Sequence, residues 1–163
     1  MVSAEFERVY REFGDAVYRS AFRILPNAED AEDVLQTVFL RFLRRDMLLG
    51  AVDNVEAYLR RAAVNAALDI VRSRGTKVSS FEELKREPST AAQQELHSRL
   101  RDALSRIEPK WAEMFVLRYV EGYGNKEIAT LLNLSQTLVA VTLFRARKKL
   151  QNEIRLDNGS LAL

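Results

Sequence analysis

The chain has 163 residues, 47% of them hydrophobic, which suits one medium or two small globular domains. It has no cysteine and a single histidine, His97, which excludes disulfides, a thiol nucleophile, thiolate zinc sites and any histidine cluster, so no catalytic residue, metal or cofactor is expected. Net charge is only +2, too little by itself to announce a nucleic-acid partner, and no apolar run approaches the roughly 20 residues that span a bilayer.

Apolar residues recur at three-and-four spacing nearly throughout, and no strict alternation marks a strand, so an all-α fold is expected. A first helix is predicted from about Ala4 to Ile24, with Phe6, Val9, Tyr10, Phe13, Val17 and Ala21 on one stripe, ended by Pro26. A second follows an Asn27 cap, with Glu29, Asp30, Glu32 and Asp33 at the positive end of its dipole and Ala31, Val34, Leu35, Val38, Phe39 and Phe42 toward a core. Residues Asp46 to Asp53 break the pattern, and a third helix runs from about Asn54 to Arg74, burying Tyr58, Leu59, Ala62, Ala63, Ala66 and Ile70. From Gly75 to Thr90 the periodicity lapses into Gly, Ser, Thr, Pro and mixed charge, the composition of a linker. The expected organisation is a three-helix domain over residues 1–75, a linker over 76–91 and a second helical domain over 92–163. In that second part, Leu96, Leu100, Ala103, Leu104 and Ile107 define one helix, and Pro109 restarts another through Met114, Phe115, Leu117, Arg118 and Tyr119. His97 is expected on a helix surface and Trp111 in packing.

The stretch Lys126-Glu127-Ile128-Ala129-Thr130-Leu131-Leu132-Asn133-Leu134-Ser135 has the build of a helix-turn-helix. Ala129 is small where two helices cross, Ile128, Leu132 and Leu134 fill the wedge, Asn133 tolerates the left-handed conformation of a tight turn, and Ser135 caps the next helix, which runs to about Ile154. Val139, Leu143, Ala146 and Leu150 bury that second helix and leave its opposite face for a groove. A helical hairpin in any small bundle shows the same apolar pattern. The trailing Arg145, Arg147, Lys148 and Lys149 favour nucleic acid, because they are placed to meet phosphates.

Taken with the helices before it, the chain resembles the extracytoplasmic-function (ECF) sigma factors of bacterial RNA polymerase, of the sigma-70 superfamily. The resemblance is carried by Leu100-Arg101-Asp102-Ala103-Leu104, Phe115-Val116-Leu117-Arg118-Tyr119-Val120-Glu121-Gly122, Lys126-Glu127-Ile128-Ala129 and Arg145-Ala146-Arg147-Lys148-Lys149-Leu150, in the family's order and spacing. In the N-terminal half, Asp30-Ala31-Glu32-Asp33-Val34-Leu35-Gln36-Thr37-Val38-Phe39-Leu40-Arg41 resembles the polymerase-clamp helix, and Tyr58-Leu59 through Asn65 and Asp69 the strand-opening helix. The resemblance implies a specificity subunit with core RNA polymerase and promoter DNA as partners, and an anti-sigma factor or other regulatory protein as a further one. A cytoplasmic protein with no membrane insertion is expected, since no apolar run is long enough to span a bilayer and the N-terminal stretch, with Glu5, Glu7 and Glu12, lacks a signal peptide's basic flank.

Site residues follow from the resemblance. Polymerase would meet Asp33, Gln36, Thr37, Leu40 and Arg41; the opened minus-10 strand would meet Arg60, Arg61, Asn65, Asp69 and Arg72. The helix-turn-helix would meet upstream DNA through Lys126, Ser135, Gln136, Thr137, Ala140, Val141, Phe144, Arg145 and Lys148. Recognition of opened DNA adds a pocket for an unstacked base, to which the family's 46–53 loop contributes; here that loop is unusually apolar, and Ala57-Tyr58 stand where the family commonly has a tryptophan. The linker, with Glu82, Glu83 and Glu87 around Phe81 and Leu84, would thread toward the polymerase active site and RNA exit path.

The second helix of the helix-turn-helix departs from the family, which usually places Gly-Thr at Thr137-Leu138 and basic or polar residues at Ala140-Val141-Thr142. Winding at about 100° per residue turns Thr137, Val141, Phe144 and Lys148 outward, with Ala140 and Arg145 on the flanks. That half-apolar face fits thymine methyls in a major groove or, equally, a protein surface. Two functions remain open at this point: a promoter-selecting initiation factor, and a sigma-like helical adaptor that binds polymerase or a partner and relies on another component for upstream DNA targeting. An ordinary helix-turn-helix repressor fits only the C-terminal half.

Overall fold

In the computed structural model the described residues are 4–45, 53–74 and 90–161, with side chains described to 44, 74 and 155. All regular structure among them is helical: α1 Ala4–Ile24, α2 Ala28–Arg45, α3 Val55–Arg74, α4 Ala91–Arg106, α5 Pro109–Tyr119, α6 Asn125–Leu132 and α7 Gln136–Leu161. The chain divides into two compact units, Met1–Ala67 and Leu68–Leu163, the division falling within α3. The apolar 46–52 loop and nearly all of the linker expected over 76–91 lie outside the described residues.

In the first unit α1 packs along α2. Val9, Val17 and Ala21 of α1 meet the Ala31, Val34, Val38, Phe39 and Phe42 side of α2, all of them buried; each fully buried aliphatic side chain contributes about 1.5–3 kcal/mol. An aromatic cluster closes the open end of this pair: Phe6 lies 6.1 Å from Phe39 and 6.0 Å from Phe42, and Tyr10 meets Phe39 edge-on at 4.9 Å. Tyr10, read from the sequence as core, is 45% exposed, because its amphipathic ring covers Phe39 from the outside. Leu35 is half-buried for the same positional reason, at the margin of its stripe. The α2 cap is as expected: Asn27 Oδ1 accepts from the Asp30 N–H at 2.9 Å, and Asn27 Nδ2 donates to the Asp30 carboxylate at 3.0 Å.

The α3 core differs from the sequence reading. Leu59, Ala63 and Ala66 are buried as expected, but Tyr58, Ala62 and Ile70 are only half-buried, while Ala57, Val64, Ala67, Leu68 and Val71 are buried. In this alanine-rich helix small apolar residues and charged ones are interleaved round the axis, so no single stripe stands out and its orientation is decided by what it packs on. Asn54 starts it, its Oδ1 accepting from the Ala57 N–H at 3.0 Å.

In the second unit α7 is the central helix, packing against α4, α5 and α6. Thr90, assigned to the linker in the sequence reading, is the N-cap of α4: its hydroxyl accepts from the Gln93 N–H at 3.1 Å, and the Gln93 side chain accepts from the Thr90 N–H at 3.2 Å. This reciprocal pair is the capping box spelled Thr-x-x-Gln. Leu96, expected on the apolar stripe of this helix, is 56% exposed. Ala103, Leu104 and Ile107 anchor the helix instead. Pro109 occupies the first turn of α5, where its missing N–H costs nothing. Gly122, at φ +83°, reverses the chain between α5 and α6. His97 is exposed and Trp111 half-buried.

Candidate nucleic-acid interface

The α6–turn–α7 unit is built as its sequence dictates. The Glu127 carboxylate accepts from the Gly124 N–H at 3.0 Å, satisfying a donor at the start of α6. At the other end Asn133 takes φ 57° and ψ 50°, the left-handed conformation, and the Leu134 N–H then closes on the Ala129 carbonyl at 2.9 Å. Ser135 Oγ accepts from the Leu138 N–H at 3.1 Å and so caps α7. The three-residue turn bends the chain by 107° between α6 and α7, within the range of DNA-binding helix-turn-helices. Ile128, Ala129 and Leu132 from α6, with Val139, Leu143, Ala146 and Leu150 from α7, are all buried in the wedge.

That wedge leaves one side of α7 in solvent. Lys126, Ser135, Gln136, Thr137, Ala140, Val141, Phe144, Arg145 and Lys148 are all exposed. Thr142, one of the three positions where the family carries polar groups, is turned into the unit and 8% exposed. Leu138, absent from the residues singled out by sequence, joins the outward face at 46% exposure. Arg147 is drawn sideways: its guanidinium lies over the ring of Tyr119 on α5, 5.8 Å from the centroid, while Arg118 approaches the same ring at 5.4 Å. Lys149 and Arg106 both reach Glu153, at 3.8 and 3.3 Å, tying α4 to α7.

In the first unit, Asp33, Gln36, Leu40 and Arg41 stand exposed on α2, with Thr37 half-buried beside them. Leu40 is 50% exposed and is extended by Leu43 at 42%, a residue that periodicity alone left unassigned. The five residues grouped on α3 separate into distinct surroundings. Arg61 and Asn65 line a cleft of about 200 Å³ together with Arg41 of α2 and Tyr58, over a floor that includes Val38, Phe42, Leu59 and Ala62. Arg60 instead reaches α1, its Nε donating to the buried Ser20 hydroxyl at 3.4 Å, with Glu56 at 4.0 Å. Asp69 and Arg72 pair with each other at 2.9 Å.

Tyr58, expected in the core, and Arg41, expected on the polymerase face, both belong to this cleft. Both sit where α2 and α3 approach, a relation that helical spacing within one helix does not contain. The cleft is smaller than the roughly 300–1,000 Å³ of a drug-sized ligand site, with cationic and amide groups at its rim and an apolar floor, which suits a single ring carried on a phosphate backbone. Among the described residues no group of histidine, aspartate and glutamate side chains is placed to hold a metal ion, and no single helix is long and apolar enough to cross a membrane.

A helical unit with a rimmed cleft, followed by a helix-turn-helix unit with a basic, solvent-facing second helix, has the build of a DNA-binding transcription protein. The family profile for sigma-70 region 2 matches residues 9–76, and that for sigma-70 region 4 matches residues 97–150. The chain is 34% identical over 152 residues to the RNA polymerase sigma-E factor of Streptomyces coelicolor, covering 92% of this chain and 86% of that protein. It is 27% identical to the ECF RNA polymerase sigma factor SigM of Bacillus subtilis, covering 89% and 92% respectively. The sigma factor RpoE of Bartonella quintana, solved in complex with the anti-sigma factor NepR, shares the fold with a TM-score of 0.56 at 18% identity, covering 95% of this chain and 99% of that one. The protein belongs to the ECF sigma factors of the sigma-70 family.

Proposed function

We propose that this chain is a promoter-specificity subunit that binds core RNA polymerase and directs it to its promoters through two DNA-handling surfaces, one along α3 and one on the helix-turn-helix. As a sigma factor it directs promoter-specific transcription initiation; what is proposed is the division of that work among its residues. The observation that carries the proposal is the joint presence of the α2–α3 cleft and the exposed second helix of the helix-turn-helix. In this reading Asp33, Gln36, Thr37, Leu40 and Arg41 meet polymerase, and the minus-10 strand runs along α3, where the cleft receives an unstacked base against Tyr58 between Arg61 and Asn65. Arg41 serves at the junction of the two. Asp69 and Arg72 extend that path as a pair, and Arg60 acts by holding α3 to α1 through Ser20. The upstream element is met by Lys126, Ser135, Gln136, Thr137, Ala140, Val141, Phe144, Arg145 and Lys148.

The chain works by binding and positioning rather than by catalysis of its own, in the cytoplasm where polymerase works. The apolar Leu40 and Leu43 also offer a seat for a regulatory protein of the anti-sigma class, since an inhibitor that covers the polymerase face blocks assembly. A sigma-like adaptor is the competing reading, favoured by the apolar outward face of α7.

Run-off transcription from a genomic fragment library, with purified core enzyme and this chain, separates the two. Promoter-specific transcripts are expected; their absence despite tight core binding identifies an adaptor. Arg61→Ala combined with Asn65→Ala should reduce open-complex formation while leaving core binding unchanged. Equal loss of both would remove the strand-opening role from the cleft.

A further inference from the structure

Three large apolar side chains stand in solvent on α7: Leu138 is 46% exposed, Val141 39% and Phe144 59%. Spaced by three residues, each lies about 60° further round the helix axis than the one before, so the row crosses the outward face diagonally. It extends over about 9 Å of helix, comparable to two or three steps of about 3.4 Å along a DNA strand. Arg145 and Lys148 share this face and are both exposed, whereas Thr142 is buried and Ala140 is only a methyl group. An apolar strip bordered by cations complements a polyanion whose groove floor offers apolar groups. In the major groove one such group exists among the four bases, the C5 methyl of thymine. The charge around the strip therefore favours duplex DNA over an apolar protein patch as its occupant.

We propose that, resting on the promoter-binding reading above, α7 selects its upstream element through thymine methyls. Val141 and Phe144, extended by Leu138, pack on the methyls of up to three neighbouring A·T pairs. Arg145 and Lys148 bind the flanking phosphates. Sequence preference then comes from burial of small apolar groups and not from a fan of hydrogen bonds to base edges, and the preferred element is rich in A·T pairs where the strip lies.

The probe is a duplex library randomised upstream of a fixed minus-10 region, selected with holoenzyme assembled from core polymerase and the full chain. The selected sequence is then remade with deoxyuridine in place of each thymine in turn, which removes the methyl and nothing else. Binding by the wild-type holoenzyme is expected to weaken about fourfold for each methyl that was buried, at one to three neighbouring positions. The Val141→Ser/Phe144→Ser holoenzyme, checked for unchanged core binding, should lose the preference for thymine at the positions those two side chains cover and keep it only where Leu138 lies. Wild-type binding that ignores deoxyuridine at every position overturns methyl readout and leaves the promoter function standing. So does a variant that keeps the wild-type discrimination, or one that loses a bound protein while its DNA binding is unaltered. Selection of no upstream sequence also overturns it, and if specific run-off transcription is absent as well, the promoter-binding reading falls with it.

Discussion

Arg147 and Tyr119 form a contact between α7 and α5, the guanidinium 5.8 Å from the ring centroid. Lys148, the next residue, is exposed on the outward face and among the described residues makes no such contact. Two neighbouring cations of one basic cluster therefore serve different ends. Arg147→Ala should cost about 0.5–1 kcal/mol of stability in urea denaturation, the worth of an exposed cation–π pair, with little change in the salt dependence of DNA binding. Lys148→Ala should leave stability unchanged and lower the slope of log affinity against log salt by about 0.9, the loss of one phosphate contact. Reversal of the two results would place Arg147 on the DNA.

The left-handed Asn133 joins α6 to α7. Asn133→Ala should destabilise the chain by about 1–2 kcal/mol, because a Cβ without a local polar compensation is disfavoured there. Asn133→Gly should keep stability within about 0.5 kcal/mol of wild type. Equal loss in both variants would show that the amide side chain, and not the backbone conformation, holds the turn.

Ser135 Oγ satisfies the Leu138 N–H at the start of α7. Ser135→Ala is expected to cost about 1 kcal/mol and to weaken upstream DNA binding, since the fraying turn carries Thr137 and Leu138. Ser135→Asp should restore the helix start, because a carboxylate also caps and suits the dipole. Hydrogen exchange at the Leu138 amide reads the cap directly: protection should fall in the alanine variant and return with aspartate.

Leu40 places an exposed apolar side chain among Asp33, Gln36 and Arg41. Leu40→Asp should reduce affinity for core polymerase at least tenfold, as desolvating a carboxylate against an apolar contact is strongly unfavourable, while circular dichroism and melting temperature stay near wild type. A variant that binds core normally would move the polymerase contact off this face of α2.

The Ser20–Arg60 bond separates Arg60 from its neighbours on α3. Arg60→Ala should lower stability by about 1 kcal/mol by leaving the Ser20 hydroxyl without its charged donor. Its effect on promoter opening should be smaller than that of Arg61→Ala, measured by permanganate reactivity of the opened strand. A larger effect from Arg60 would place it on DNA.

Much of this protein is written locally in its sequence. The bounds of α1, the Asn27 cap, Pro109 at the start of α5, left-handed Asn133 and the Ser135 cap all depend on residues within four positions of each other, where backbone sterics and hydrogen bonding act alone. The buried row Val139, Leu143, Ala146 and Leu150 was legible for the same reason, being one face of one amphipathic helix. The capping box at Thr90 is equally local, although the polar stretch around it reads as linker.

What only the tertiary structure decided involves more than one element. The buried side of α3 was not legible, because an alanine-rich helix offers several nearly equivalent faces and the neighbouring helices choose among them. Leu96 lies in solvent because a periodic stripe does not state whether a partner faces it. Arg41, Tyr58, Arg61 and Asn65 share a cleft because α2 and α3 come together there, and Arg60 leaves that group because α1 presents Ser20 beside it. Spacing along a helix fixes direction around its own axis; which neighbour fills that direction depends on packing between helices far apart in sequence.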